Sequence, residues 1–292
     1  MLGIVKPYHP ISFKKMTQLR FLVIALSTSL LLSCSSTPKV KYADRVLDQL
    51  EYDVILMGGQ SNMVGQGKLI DLESMTFPNI TLLDFSANPN LTPPQGNFGP
   101  EVGLSMELSK NYPNRRFLLI KYAIGGASLL DWSPNYDPQE AEITGHPEFG
   151  NMYKRLIMLT DSLTNGHNVR FRALLWMQGE RDARIPAAGV EYYQNFASLV
   201  NSIRKDLNSP DLPVIFGKVN PPPDRYPALD TVVRAQIRIT QELPNTYLID
   251  TDDLEKWEDD LHYSSSGQID LGVKFGKKLT EHIEVETNAI HD

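Results

Sequence analysis

Short apolar runs of strand length alternate along this chain with longer runs of helical spacing, and this alternation limits the possible folds most. The pattern is typical of βαβ units, in which helices cover both faces of a parallel sheet. We therefore predict an α/β fold, a three-layer αβα sandwich around a five-stranded parallel sheet. Strands are expected at residues 53–57, 117–122, 170–176, 213–219 and 246–250. Helices are expected near residues 100–110, 150–165, 188–206, 228–242 and 268–283.

The first predicted strand ends in two glycines, and a serine follows within two residues, as Gly58-Gly59-Gln60-Ser61. Glycine permits the unusual dihedral angles of a tight turn and leaves the serine uncrowded. A helix that starts just beyond Ser61 would direct its free N–H groups at the hydroxyl. Ser61 is therefore a candidate nucleophile, although the same residues also suit an ordinary polar turn.

A carboxylate and a histidine stand close together near the other end of the chain, at Asp259 and His262. A hydrolytic serine needs a base that takes its proton and an acid that orients this base. The three-residue spacing favours Asp259 over its neighbour Asp260 as that acid. The two motifs together favour hydrolytic chemistry, since a histidine alone in a polar stretch is usually only a surface residue.

Four separated blocks of this chain resemble, in order, the SGNH-hydrolase superfamily, in particular carbohydrate esterase family 6 and the sialate O-acetylesterases. Gln178 stands where the wider superfamily has an asparagine, and this narrows the resemblance to the carbohydrate-esterase branch. The resemblance implies a flavodoxin-like SGNH fold and an esterase domain over residues 51–285. The four blocks are residues 59–63, 122–128, 176–182 and 259–262.

The resemblance also implies a role for each matching residue. Ser61 would attack an ester carbonyl, His262 would act as the base, and Asp259 would steady the imidazolium. The oxyanion would lie among the N–H groups of Ser61 and Gly126 and the side-chain amide of Gln178, with Gly125 as an alternative to Gly126. These glycines and Gln178 follow predicted strand ends, where open α/β sheets bind ligands.

Several further residues are candidates for supporting roles, among them Gln60, Glu180 and Asp182. Glu180 is either a second acid that faces His262 or a residue that ties down loop backbone, and we favour the structural role. Trp132 and Trp176 are candidates for a sugar-binding platform, although a half-buried position beside the sheet is the favoured interpretation of Trp176.

The charge of the chain argues against a nucleic-acid partner. The formal charge is −7, and the first 33 residues contain four of the 28 basic residues and no acidic one. Without them the remainder would carry about −11, which a phosphate backbone repels. The six histidines show no metal-ligand spacing, so we expect neither a metal nor another cofactor.

The N-terminal residues predict a secreted lipoprotein. A short basic start, an apolar run of about a dozen residues and Leu31-Leu32-Ser33 before Cys34 fit a lipoprotein signal peptide over residues 1–33. Met16 is an alternative start. Cys34 would carry the lipid, residues 34–50 would form a tether, and the protein would lie in a bacterial cell envelope, facing the periplasm or the exterior.

The resulting hypothesis is a serine acetylesterase that removes O-acetyl groups from carbohydrate or sialic-acid-containing substrates through an acyl-enzyme intermediate. One alternative is a broader acyl-ester hydrolase that acts on lipid or peptidoglycan. Another is a non-catalytic glycan-binding lipoprotein, against which the complete set of catalytic residue types argues.

Overall fold

The computed structural model describes residues 39–44, 47–87 and 96–291, with side chains described to residue 283. The predicted signal peptide and Cys34 lie outside these residues. Ten strands are present in the described part: β1 (Val40–Tyr42), β2 (Tyr52–Gly59), β3 (Gly67–Lys68), β4 (Met75–Phe77), β5 (Ile80–Asp84), β6 (Asn97–Phe98), β7 (Phe117–Ala123), β8 (Val169–Met177), β9 (Val214–Gly217) and β10 (Thr246–Ile249).

The main sheet is parallel and has six strands, in the order β10-β9-β8-β2-β7-β5. Five of these strands were predicted from the sequence. The sixth, the edge strand β5, was not, so the predicted number of strands is wrong by one. Its five residues pair with β7 along only one side. The pairing of Ile80–Asp84 depends on β7, which is distant in the chain, so the sequence pattern of this run alone does not reveal it.

The central strand β2 is buried along its whole length, from Tyr52 to Gly59. Strands of a parallel sheet that is covered on both faces need apolar side chains on both sides. This explains why β2 is a continuous apolar run in the sequence rather than an alternating one.

Helices flank the sheet, as predicted for a three-layer sandwich. Among them, α2 packs closely against α8 at Gly103, where a Cβ would lie 1.9 Å from Ile269 O. None of the helices in residues 39–44, 47–87 and 96–291 is long and apolar enough to cross a membrane. The helices are α1 (Ser61–Val64), α2 (Glu101–Asn111), α3 (Pro138–Ala141), α4 (Met152–Thr164), α5 (Glu180–Arg184), α6 (Pro186–Asp206), α7 (Leu229–Glu242) and α8 (Ser265–His291), with short 3₁₀ turns at Leu69–Asp71, Glu142–Thr144 and Pro147–Phe149.

Part of the predicted tether belongs to the folded body. Strand β1 pairs in parallel with β4, Ala43 N–H donates to Ile80 O at 2.7 Å, and Lys39 Nζ donates to Leu72 O at 2.9 Å. The expectation of a free tether as far as residue 50 is therefore wrong for residues 39–43, because β4 offers them a strand edge.

The order of the parallel strands determines where the loops that contain the four blocks of family resemblance meet. Strands β7, β2 and β8 are neighbours, and their carboxyl ends lie at one edge of the sheet. The residues that follow Gly59, Ala123 and Met177 therefore come together there, at the place where open α/β sheets bind ligands.

Candidate active site

The turn after β2 places Ser61 at the first position of α1. Gly59 has a φ of +148°, and a Cβ there would lie 2.1 Å from Met177 O, so glycine is required. Gln60 N–H donates to the same carbonyl at 2.9 Å, which ties the turn to β8. Ser61 is 6% exposed. Its N–H starts the helix and therefore has no acceptor within it.

The loop before α8 forms a tight turn around Asp259. Asp260 has a φ of +55°, a left-handed conformation that aspartate tolerates better than most residues. The turn brings two backbone N–H groups to Asp259 Oδ1, from Leu261 at 3.0 Å and from His262 at 2.9 Å. Trp257 N–H donates to His262 O at 2.8 Å and closes the turn.

The structure brings Ser61, His262 and Asp259 together. His262 Nε2 lies 3.0 Å from Ser61 Oγ, and His262 Nδ1 lies 2.6 Å from Asp259 Oδ2. The acid in contact with the histidine is therefore Asp259 and not Asp260. This geometry allows the imidazole to take a proton from the hydroxyl while the carboxylate holds the other ring nitrogen.

The charge state of Asp259 suits this arrangement. Burial raises the pKa of Asp259, but the N–H groups of His262 and Leu261 and the imidazole outweigh burial and leave the pKa below its usual value. Asp259 is therefore ionised at neutral pH and can stabilise an imidazolium.

The loop after β7 offers one backbone donor. Gly125 N–H donates to Ala87 O at 3.0 Å, whereas Gly126 N–H has no protein acceptor among the described residues. Gly126 has a φ of +83° and lines the same pocket as Ser61. The sequence allows either glycine as the oxyanion donor, and Gly126 is the one whose backbone N–H is available for that role.

Gln178 is fully buried at the end of β8. Its Nε2 donates to Ala127 O at 3.1 Å and also to the Asp182 carboxylate. Both amide hydrogens are thus used by protein acceptors, because an amide nitrogen carries only two. This placement contradicts the expectation that Gln178 donates directly to an oxyanion. The contact with Ala127 instead holds the loop that carries Gly126.

The side chains of Gln60 and Asp182 lie beside the site and accept hydrogen bonds from backbone N–H groups of the surrounding loops. Gln60 Oε1 accepts from Arg181 N–H at 3.2 Å, and Asp182 accepts from Leu129 N–H at 3.2 Å. Burial raises the pKa of Asp182 to about 7, although Gln178 and Leu129 donate to it. Asp182 and Gln178 therefore hold the loop that carries Gly126 in place through hydrogen bonds to its backbone.

Among the described residues, the Glu180 carboxyl group makes no hydrogen bond to the imidazole, and the backbone N–H that faces it is its own. Its Oε1 accepts from Asn62 Nδ2 at 2.8 Å, and Oε2 has no hydrogen-bond partner in the part of the chain that the structure describes. Burial raises the pKa of Glu180. The sequence analysis gives Asn62 no role. A buried polar side chain must find hydrogen-bond partners, however, and this requirement could have identified Asn62 as a functional residue, because it directly follows Ser61.

Trp132 and Trp176 are both fully buried, so neither can act as a sugar platform. Their rings pack edge to face at 5.0 Å, and Trp132 Nε1 donates to Gly59 O at 3.2 Å. Both tryptophans pack beneath the turn that carries Ser61; Trp176 has the structural position that the sequence favours, but it is fully buried rather than half-buried.

A pocket of about 370 Å³ opens at Ser61 and His262. Its lining includes two arginines, Arg181 and Arg184, and a second histidine, His146, whereas Glu180 is its one acid. No group of three or more His, Cys, Asp or Glu side chains in the described part is placed to hold a metal ion. The remaining lining residues are Gln60, Gln66, Gly125, Gly126, Tyr226 and Leu261.

The parallel sheet covered by helices, with the four blocks at the carboxyl ends of its strands, is the SGNH-type fold that the sequence predicts. The crystal structure of an Arabidopsis thaliana protein superimposes with a TM-score of 0.62 at 21% identity, over 79% of this chain and 98% of that one. The crystal structure of NanS also gives 0.62, at 16% identity, over 82% and 99% of the two chains. At these identities the likeness establishes the fold.

Sequence comparison then identifies the family. Residues 51–281 match the family described as carbohydrate esterase, sialic acid-specific acetylesterase, and the chain belongs to it. A probable carbohydrate esterase of Arabidopsis thaliana is 23% identical over 250 residues, which cover 77% of this chain and 88% of that protein. The chain is thus an esterase of the carbohydrate class.

Proposed function

We propose that this protein is a serine acetylesterase that removes O-acetyl groups from an acidic sugar, with Ser61, His262 and Asp259 as its catalytic residues. The observation that carries the proposal is the continuous contact from Asp259 through His262 to Ser61 Oγ, at 2.6 Å and 3.0 Å. This contact joins two parts of the chain that are 201 residues apart.

The first half-reaction transfers the acetyl group to the enzyme. Ser61 Oγ attacks the acetyl carbonyl carbon and passes its proton to His262 Nε2, while Asp259 stabilises the imidazolium. The N–H groups of Ser61 and Gly126 donate to the oxyanion of the tetrahedral intermediate. When the ester C–O bond breaks, His262 returns the proton to the sugar oxygen, and acetyl-Ser61 remains.

The second half-reaction regenerates the serine. His262 takes a proton from water, whose oxygen attacks the acetyl carbonyl carbon. Collapse of the second tetrahedral intermediate releases acetic acid, which loses its proton to solvent to give acetate, and the proton returns from His262 to Ser61 Oγ. Neither half-reaction requires a cofactor.

The charge of the pocket favours an acidic sugar such as a sialic acid. Arg184 is exposed on α5 and lines the pocket. Arg181 also lines the pocket, but its Nε–H already donates a hydrogen bond to Thr144 O at 2.8 Å. Arg184 is therefore the better placed to meet a substrate carboxylate, for which a guanidinium is well suited. The family description supports the same substrate class.

Acetate release from a panel of substrates tests the function. The panel contains O-acetylated sialic acid, acetylated xylan, acetylated peptidoglycan, and p-nitrophenyl esters of acetate and of long acyl chains. We expect the highest kcat/KM for O-acetylated sialic acid. A preference for long acyl chains would indicate a lipid esterase instead, and no turnover of any ester would indicate a glycan-binding protein.

The contribution of Arg184 can be measured separately. Arg184→Gln should raise KM for O-acetylated sialic acid about tenfold, the effect of losing one charge-assisted hydrogen bond, and leave KM for acetylated xylan unchanged. Arg234→Gln is the matched control, because Arg234 is exposed on α7 and does not line the pocket. An equal rise of KM for both substrates would reject carboxylate recognition.

We also propose that the mature protein is a lipoprotein of a bacterial cell envelope, anchored through Cys34. The support is the sequence Leu31-Leu32-Ser33-Cys34 after a short apolar run. Wild-type protein expressed in bacteria should incorporate labelled palmitate and fractionate with membranes, and Cys34→Ala should do neither while it retains esterase activity. Recovery of soluble wild-type protein that is cleaved elsewhere would indicate simple secretion.

A further inference from the structure

The side chain of Asn62 connects the turn that carries Ser61 with the loop that carries His262. Asn62 Nδ2 donates to Leu261 O at 3.2 Å, and Asn62 Oδ1 accepts from Tyr263 N–H at 3.1 Å. Leu261 and Tyr263 are the two neighbours of His262 in the chain. One amide therefore holds the backbone on both sides of the histidine.

Glu180 determines which way this amide points. Its Oε1 accepts the second hydrogen of Asn62 Nδ2 at 2.8 Å. Because Glu180 Oε1 accepts this hydrogen, Nδ2 faces Glu180, and Oδ1 is then left for Tyr263 N–H. Both side chains are almost wholly enclosed, Asn62 at 1% and Glu180 at 2% exposure. Water therefore does not compete effectively for these bonds.

We infer that Asn62 is a positioning residue that fixes His262 against Ser61, and that Glu180 acts through Asn62. The inference rests on the proposed function, since it assigns His262 as the base of Ser61. Asn62 directly follows Ser61 on α1, so a shift of its contacts changes the separation between Ser61 Oγ and His262 Nε2. Proton transfer is sensitive to that separation.

Other contacts should keep the loop folded when Asn62 is replaced. Trp257 Nε1 donates to Gln66 O at 3.1 Å, and Arg225 donates to Asp259 O. Asp259 still accepts from the backbone of its own turn. The expected effect of losing Asn62 is thus misplacement of the imidazole by a fraction of an ångström to about 1 Å, rather than unfolding.

The first experiment compares Asn62→Ala with wild type on p-nitrophenyl acetate. We expect kcat to fall on the order of 10–10²-fold, the loss expected for a misplaced catalytic group, with KM within about twofold of wild type. The matched control is Asn79→Ala. The Asn79 amide also makes three hydrogen bonds, to Tyr112 O, Arg115 O and Ser109 Oγ, but at the amino end of β5. Asn79→Ala should lower Tm without lowering kcat.

The second experiment asks whether Asn62 acts on His262 or on Ser61. The readout is the rate at which a fluorophosphonate labels Ser61, because this step needs no deacylation. Asn62→Ala should slow labelling in the wild-type background and have no further effect in the His262→Ala background, since no imidazole remains to be positioned. A cost that persists in the His262→Ala background would overturn the inference.

The third experiment tests the part of Glu180. Glu180→Gln keeps an oxygen that accepts from Asn62, and it should therefore lose less kcat than Glu180→Leu, which keeps none. The loss in Glu180→Leu should disappear when Asn62 is already alanine, because both changes remove the same support. Additive losses would show that Glu180 acts on His262 or substrate by another route.

The outcomes separate this inference from the proposed function. Wild-type protein that neither hydrolyses p-nitrophenyl acetate nor reacts with the fluorophosphonate would overturn both. Active wild-type protein with an Asn62→Ala variant of equal kcat would overturn the positioning role alone.

Discussion

The turn that carries Ser61 is enclosed by the sheet, whereas the loop that carries His262 lies at the surface and is held by polar contacts. Ser61 is 6% exposed, while the side chains of His262 and Asp259 are 26% and 43% exposed. The catalytic residues of a single reaction are thus held in place by two different kinds of interaction. Packing holds the nucleophile, and hydrogen bonds hold the base and acid.

The difference predicts how each region fails. A substitution that adds atoms to the enclosed turn disturbs close packing and should affect the stability of the whole domain. A change in the exposed loop removes hydrogen bonds that few other residues depend on, so it should affect activity far more than stability. Substitutions chosen in matched pairs can test this separation.

The largest effect is expected when the reacting atom itself is removed. Ser61→Ala should lower kcat by up to ~10⁶, because the nucleophile and its base act as one unit. The free energy of unfolding should change by less than about 1 kcal/mol, since only a hydroxyl is lost. Acetate release and denaturant unfolding measure the two quantities. Activity within tenfold of wild type would reject Ser61 as nucleophile.

A smaller but still large effect is expected for the acid in the exposed loop. Asp259→Asn should lower kcat on the order of 10²–10⁴ because the amide cannot stabilise an imidazolium. Asp260→Asn is the control, because asparagine also tolerates the left-handed φ of +55° at this position. Both variants should unfold at nearly the wild-type temperature. Equal activity losses in the two would contradict the assignment of Asp259.

Two glycines allow the comparison to be made with the same substitution. Gly59→Ala should destabilise the protein by more than about 3 kcal/mol, because the new Cβ would lie 2.1 Å from Met177 O. Gly126→Ala meets nothing nearer than His146 Nε2 at 3.7 Å. It should cost only about 1 kcal/mol for its positive φ, yet lower kcat as its N–H turns away. Thermal unfolding and kcat would separate the two, and equal stability of both variants would break the distinction.

The last prediction concerns the dependence of stability on pH, which should leave the catalytic residues untouched. The pKa of Asp182 is about 7 in the folded protein and about 3.9 when unfolded. Between these values the folded state holds a proton that the unfolded state has lost, so stability declines from about pH 4 to pH 7. Asp182→Asn should remove this part of the decline. Denaturant unfolding at a series of pH values measures it, and parallel curves for wild type and variant would contradict the prediction.

Much of the fold could be predicted because its signals are local. Five strands of the main sheet and the five longer helices follow from apolar periodicity, which each segment shows without its neighbours. The edge strand β5 and the pairing of β1 with β4 could not be predicted in this way. Both depend on a partner strand that is distant in sequence.

The sequence by itself determined the residue types of the site and their order along the chain. Ser61, Asp259 and His262 could be singled out because their spacing and flanking glycines are themselves sequence features. Only the tertiary structure decided which atoms meet. It directs both hydrogens of the Gln178 amide to Ala127 O and Asp182. It gives the Gly126 N–H no acceptor among the described residues, and it places the Asn62 amide against the backbone on both sides of His262. The physical reason is that a buried polar group must find a partner, and the available partner is chosen by packing across the whole fold.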